Sequence, residues 1–265
     1  MRPKAGSGRN ILRRMTAPAG PRGGQQRIPR PAEFVVSGPA PWSGLSQEAR
    51  HLTLDRVRER SGAFAAPLAE PIVVPGSRDA AVLIPLFEDD GEVHVVLTKR
   101  PETMPSHQGE IAFPGGTVQP GIDASPRDAA LREAHEEIGL HPADVEVVAA
   151  LDRLGTVGSR FVIDPFVGLL AGRPVLRADP REVVRVFDVP LAELLDDATY
   201  REEHWTFPVS EDQVSDVRPF TELDVVFFEL EGETVWGATA RILRSFLARL
   251  LDVEGDASSY GGLSA

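Results

Sequence analysis

The 265 residues are 42% hydrophobic and include 40 acidic residues, 28 Lys or Arg and no cysteine. A chain of this size can bury a full core in one large domain or two small ones, and the absence of cysteine excludes disulfides, thiolate metal sites and thiol nucleophiles. The formal charge of -12 hides an asymmetry, since residues 1–32 hold eight Lys or Arg and no acid, leaving 20 basic against 40 acidic residues in a body that lacks a general phosphate-neutralising surface.

Residues 1–44, rich in Gly, Pro, Ala and Arg, are predicted to form a disordered basic tail. Such a start is compatible with a transit peptide or a nucleic-acid arm, but Met15 as the initiator of a shorter chain is the plainer reading, and no nucleic-acid partner is expected. Residues 45–77 read as a short surface helix between Leu45 and Arg60 followed by a Pro-punctuated linker through Pro75 and Gly76. No apolar run approaches the roughly 18 residues of a membrane span, and the N-terminus lacks the apolar segment of a secretory signal. The expectation is a soluble, cytoplasmic protein without a membrane partner.

The compact domain is placed at residues 78–252, with 253–265 as a flexible C-terminus. Ala80–Leu86 and Val93–Thr98 read as strands joined by a hairpin turn at Asp89-Asp90-Gly91. Further strands are predicted at Val145–Leu151, Val162–Leu170, Val183–Val189, His204–Val209 and Val225–Leu230. A helix over Pro126–Ile138 lies among them, and a second closes the domain, where Ile242, Leu243, Phe246, Leu247, Leu250 and Leu251 recur at helical spacing. The pattern is that of a mixed α/β domain without internal repeats.

The first helix carries the chemistry. Ser125 reads as its N-cap, Pro126 as its first residue, Asp128 as a capping-box acid and Gly139 as its stop. Ala130, Leu131, Ala134 and Ile138 form an apolar stripe, and Glu133, Glu136 and Glu137 share an adjacent face, where unneutralised like charges cost roughly 0.2–0.5 kcal/mol per pair. Three carboxylates on one turn suit a hard divalent cation such as Mg2+, Mn2+ or Ca2+. An acidic surface face is the alternative, and the Gly115-Gly116 pair upstream weighs against it.

Arg132-Glu133-Ala134-His135-Glu136-Glu137-Ile138-Gly139-Leu140 resembles the second half of the Nudix hydrolase box, in which an Arg-Glu pair precedes two further glutamates and a glycine. The first half departs from the pattern: Ala124 and Val118 occupy the positions of the family's Glu and Gly. A loop two residues longer, with Asp123 in place of the missing Glu, would restore it. The resemblance implies an α/β/α sandwich with a mixed sheet and a catalytic loop-helix-loop, a Mg2+ or Mn2+ cofactor, and hydrolysis of a nucleoside diphosphate derivative. It implies Glu133 and Glu137 as metal ligands, with Glu136 as a further ligand or as the group that orients or deprotonates water. Arg132, among the catalytic residues, would hold loop carboxylates and backbone in place. Many enzymes of this fold dimerise, so a homodimer is compatible with it.

Leu97-Thr98-Lys99-Arg100 and His107 through Gly116 resemble the signature of the coenzyme A pyrophosphatase branch, although Pro101, Met104 and Pro105 depart from it. The implied reaction cleaves coenzyme A or a derivative to 3',5'-ADP and a 4'-phosphopantetheine product. Lys99, Arg100, His107, Gly115 and Gly116 are the implied substrate-binding residues, the cations meeting phosphate and the glycines admitting close approach. Glu110 could add a carboxylate to the metal cluster, Glu182 resembles an acid that serves as catalytic base in some members, and Trp236 reads as a packing residue at the start of the last helix. NDP-sugars, NADH, ADP-ribose and dinucleoside polyphosphates are alternative substrates, and a non-catalytic nucleotide sensor is the alternative of another class.

Overall fold

The computed structural model describes residues 13–14, 22–64, 76–103, 107–156, 160–207 and 222–253. The larger sheet has nine strands among the described residues. In spatial order its main path is β1 (Arg13–Arg14), β10 (Arg185–Pro190), β4 (Glu92–Lys99), β3 (Arg78–Asp89), β9 (Phe161–Leu169) and β7 (Glu146–Ala150). Short strands β5 (Ile111–Ala112), β6 (Gly115–Thr117) and β8 (Leu154–Gly155) pair with β4, β3 and β9 respectively. The sheet is mixed, with β3 parallel to β9 and β4 antiparallel to both β3 and β10. A smaller antiparallel sheet runs β13 (Glu233–Trp236), β12 (Glu222–Leu230), β11 (Tyr200–Thr206), β2 (Glu33–Val36).

Strand β3 is apolar almost throughout because both of its faces are buried. Ala81, Leu83 and Phe87 point to helix α3 (Pro126–Ile138), whereas Ile84 and Leu86 point to the opposite side, where α2 (Leu54–Gly62), α5 (Gly237–Leu251) and the smaller sheet close the main core. The β3–β4 turn has positive φ at both Asp90 (52°) and Gly91 (79°), the backbone a two-residue hairpin of type I′ requires. Beyond that turn β3 and β4 pair directly only from Leu86–Asp89 to Val95–Glu92. They then separate. Residues 111–117 enter the gap, β5 pairing with β4 and β6 with β3, and the functional site is built around this insertion.

The N-terminal part departs from expectation. Residues 22–44 are not a disordered tail: β2 pairs with β11 through Glu33–Thr206 to Val36–Glu203, and Trp42 is fully buried between Phe228 and Tyr200. The domain therefore does not begin at Arg78. Residues 45–64 are not a surface appendage either, because Leu52, between α1 (Gln47–Arg50) and α2, and Val57, within α2, are both in the main core with Ala40. Trp42, Leu52 and Val57 are spent on that core while Phe34, Val35 and Val36 of β2 stay exposed, and the segment's Pro and Gly suit an extended strap, so long-range pairing offsets an ordering cost that local composition left uncovered. Met15, residues 65–75 and residues 254–265 lie outside the described residues.

Candidate active site

Helix α3 has the bounds its caps foretold. Ser125 Oγ accepts from the Asp128 N–H at 3.3 Å, and Gly139 ends the helix in the left-handed conformation at φ 70°. Ala129, Ala130, Ala134 and Ile138 pack on the sheet. That packing fixes the rotation of the helix so that Glu133 and Glu137, 9% and 4% exposed, face the inserted strand β6. The Gly115 N–H donates to Glu137 Oε2 at 3.1 Å. A Cβ on Gly116 would stand 2.5 Å from the Glu133 carboxyl carbon, and one on Gly115 would stand 2.4 Å from the Ala81 carbonyl oxygen. Gly115 is held to glycine by backbone, whereas a side chain at Gly116 would push the Glu133 carboxylate out of place.

A third carboxylate arrives from far along the chain. The Arg177 N–H donates to the Ile138 carbonyl and the Asp179 N–H to the Glu137 carbonyl, each at 2.8 Å, so the segment before β10 is tied to the last carbonyls of α3. This docking brings Glu182 to the cluster, where Glu133, Glu137 and Glu182 each offer an oxygen within 4.8 Å of the others. Burial, together with the charges of Glu133 and Glu182, pushes Glu137 up to about 8 against the opposing Gly115 N–H and Arg100. Burial also raises Glu133, with Arg132 opposing. Three converging carboxylates, two of which burial makes reluctant to ionise, are short of positive charge, and an all-oxygen set of this kind fits a hard dication.

Glu136 stands outside this cluster. Its side chain is 58% exposed and pairs with Arg132 Nη1 at 2.9 Å, so the structure does not bring it to the metal-ligand set expected from helical spacing. The reason is geometric: α3 turns only one edge of its acidic face toward Gly115 and Gly116. Arg132 acts as a clamp. Its Nε and Nη2 grip both oxygens of Asp123 at 2.8 and 2.9 Å, Nη1 reaches Glu133 at 2.9 Å, and Nη2 reaches the Thr117 carbonyl at 3.3 Å. Asp123, which also accepts from the Gln119 N–H at 2.7 Å, is the anchor of this clamp.

On the other side of the glycine strand lies a cleft of about 440 Å³, reached by Arg100, His107, Gly115 and Gly116 and walled by Phe161, Ile163 and Trp236. The Arg100 Nε is buried without a hydrogen-bond partner. His107 meets Glu110 at 2.8 Å, and that hydrogen bond holds the imidazole above its ordinary value despite burial. Glu110 is thus spent on His107 and is not a member of the carboxylate cluster. Lys99 is a second correction. Its Nζ is bonded to buried Glu233 at 2.9 and 3.1 Å, beside Arg185 and Gln26, and it borders a separate polar cavity of about 730 Å³. Successive side chains of an extended segment point to opposite sides, so Lys99 and Arg100 cannot both enter the cleft. The cleft residues Arg78 and Phe161 carried no signal in the sequence beyond being a strand-end cation and an aromatic.

A model of the NUDIX domain matches residues 77–213. The chain belongs to the Nudix hydrolase family. The Nudix hydrolase NudL of Enterobacter sp. strain 638 is 38% identical over 148 residues, 56% of this chain and 74% of the relative. NudL of Salmonella heidelberg strain SL476 is 32% identical over 203 residues, 77% and 97% of the two chains. The chloroplastic Nudix hydrolase 22 of Arabidopsis thaliana is 39% identical over 173 residues, 63% of this chain and 53% of that one. Among solved structures, a MutT/nudix family protein from Enterococcus faecalis aligns with a TM-score of 0.44 at 16% identity, covering 79% and 75% of the two chains. As a Nudix hydrolase, the chain is a pyrophosphohydrolase of a family that generally uses divalent ions such as Mg2+ or Mn2+.

Proposed function

We propose that this Nudix hydrolase cleaves the diphosphate of coenzyme A or a derivative, giving 3',5'-ADP and a 4'-phosphopantetheine product. The observation that carries the reaction is the convergence of Glu133, Glu137 and Glu182 against Gly115 and Gly116, beside a cleft lined by Arg100, which makes no direct salt bridge among the described residues. The choice of coenzyme A is supported by the likeness of Leu97–Arg100 and His107–Gly116 to that branch's signature.

Glu133, Glu137 and Glu182 would hold the divalent ion, which when bound supplies charge neutralisation at the diphosphate and a water of lowered pKa. Arg100 receives phosphate oxygens from the cleft side, where a guanidinium can form a two-pronged contact. Gly115 and Gly116 let the substrate approach the backbone beside the carboxylates. Glu182, the exposed member of the cluster, is open to solvent and is the group placed to take up a proton from attacking water. Arg132 is a positioning residue that fixes α3 to the loop through Asp123. The apolar wall of Phe161, Ile163 and Trp236 excludes water from one side of the bound molecule.

The test is product analysis with Mg2+ or Mn2+ and, separately, coenzyme A, 3'-dephospho-coenzyme A, NADH, ADP-ribose and a diadenosine polyphosphate. Preferred turnover of coenzyme A with release of 3',5'-ADP is expected. Preferred turnover of another diphosphate would overturn the substrate assignment, and no metal-dependent product from any of them would overturn the catalytic one.

A further inference from the structure

With Lys99 committed to Glu233, one of the two cations expected at the substrate is lost. Another lines the cleft in its place. Arg78 opens β3 and shares the cleft face of that strand with Ala80 and Val82, and its guanidinium lies 4.7 Å from the centroid of the Phe161 ring. Neither Arg78 nor Arg100 makes a direct salt bridge among the described residues, Arg100 acting on Glu137 through its charge alone, although Arg132, Arg153, Arg173 and Arg185 are all ion-paired. Val82 pairs with Gly115, and Arg78 stands four residues away along the same strand, so about 13 Å of backbone separates it from the glycine wall of the carboxylate cluster. The two guanidiniums therefore mark two anion positions in one cleft. A guanidinium laid by its face on an aromatic ring keeps its N–H edges open as a fork that matches phosphate, and the ring limits the freedom it must lose on binding.

We propose that Arg78, braced on Phe161, is a specificity-determining residue that binds a phosphomonoester on the ribose of the substrate, at a point distinct from the diphosphate that meets Arg100. The inference rests on the reading of the site as a nucleoside-diphosphate hydrolase. Its test is chosen to fail separately from that reading.

Calorimetric titration of the full chain with 3',5'-ADP, 2',5'-ADP and 5'-AMP compares the wild type with Arg78→Ala and Arg78→Lys. The wild type should bind one of the bisphosphates about tenfold more tightly than AMP, the scale of one charge-assisted contact. Arg78→Ala should lose that preference while AMP affinity stays within twofold, about 0.4 kcal/mol, and Arg78→Lys should keep part of it. Preference for 3',5'-ADP assigns the group to a coenzyme A-type substrate and preference for 2',5'-ADP to an NADPH-type one, both in support. In parallel, the ratio of kcat/KM for coenzyme A over 3'-dephospho-coenzyme A should fall in Arg78→Ala through KM. A wild type without preference, a preference that survives Arg78→Ala, or equal weakening of all three nucleotides would overturn the assignment. An Arg78-dependent preference in a protein that hydrolyses no diphosphate would keep this inference and remove the proposed reaction.

Discussion

Neighbouring glutamates on one helical turn are given different work by a rotation of about 100° per residue. Glu137 lies buried against the Gly115 N–H, while Glu136 points to solvent and Arg132. Glu137→Gln should therefore lower kcat by about 100-fold, the upper range for losing support at a metal centre, with the fold intact by circular dichroism. Glu136→Gln should stay within a few-fold of wild type in the same assay. Equal losses in the two variants would return Glu136 to the ligand set. Asp123 carries a pH-dependent prediction. The Arg132 fork holds its carboxyl below the ordinary value of 3.8, so its contribution to stability is present above that value and is lost as pH falls through the lowered folded one. Melting curves of Asp123→Asn should show a Tm deficit at pH 7 that closes toward the wild type near pH 3. A deficit of constant size across that range would mean that Asp123 acts by packing alone.

At the scale of the element, what could be read from sequence was what is local. The bounds of α3 are set by Ser125, Pro126 and Gly139, all within or next to the helix, and the β3–β4 hairpin is set by Asp90 and Gly91. Glu182 entered the carboxylate cluster only through the hydrogen bonds of Arg177 and Asp179 to α3, a contact between segments some 40 residues apart that no periodicity announces. Lys99 was misplaced because cations adjacent in sequence look alike until the strand assigns each a side. The N-terminal strap was hidden for the same reason as Glu182, since β2 exists only where β11 offers an edge. Its importance is measurable. Trp42→Ala removes a fully buried ring and should cost about 3–5 kcal/mol, lowering Tm by roughly 6–20 °C at the 2–4 °C per kcal/mol of a domain this size. Deletion of residues 1–44 should prevent soluble folding. A folded, active protein lacking residues 1–44 would restore the view of this segment as dispensable.

For the whole molecule, the acidic excess means that a divalent ion can stabilise the fold in two ways that must be separated. Eight of the 28 basic residues lie in residues 1–32, and the rest of the chain holds 40 acids against 20 bases, so any added salt relieves self-repulsion by screening. Binding at Glu133, Glu137 and Glu182 is a different effect, because an ion that binds only the folded state adds about 2.7 kcal/mol at 100 times its Kd. That corresponds to roughly 5–10 °C in Tm. Scans in chelator, in Mg2+ or Mn2+, and in KCl of matched ionic strength should therefore give a divalent-specific rise in the wild type above the KCl control. Screening acts on the whole surface and must survive any single substitution, whereas the site-specific part must vanish with its ligands. Glu137→Gln should accordingly keep the KCl rise and lose the divalent excess, and Glu136→Gln should keep both. A divalent excess undiminished in Glu137→Gln would place the ion elsewhere on the acidic surface and dissolve the link between this cluster and catalysis.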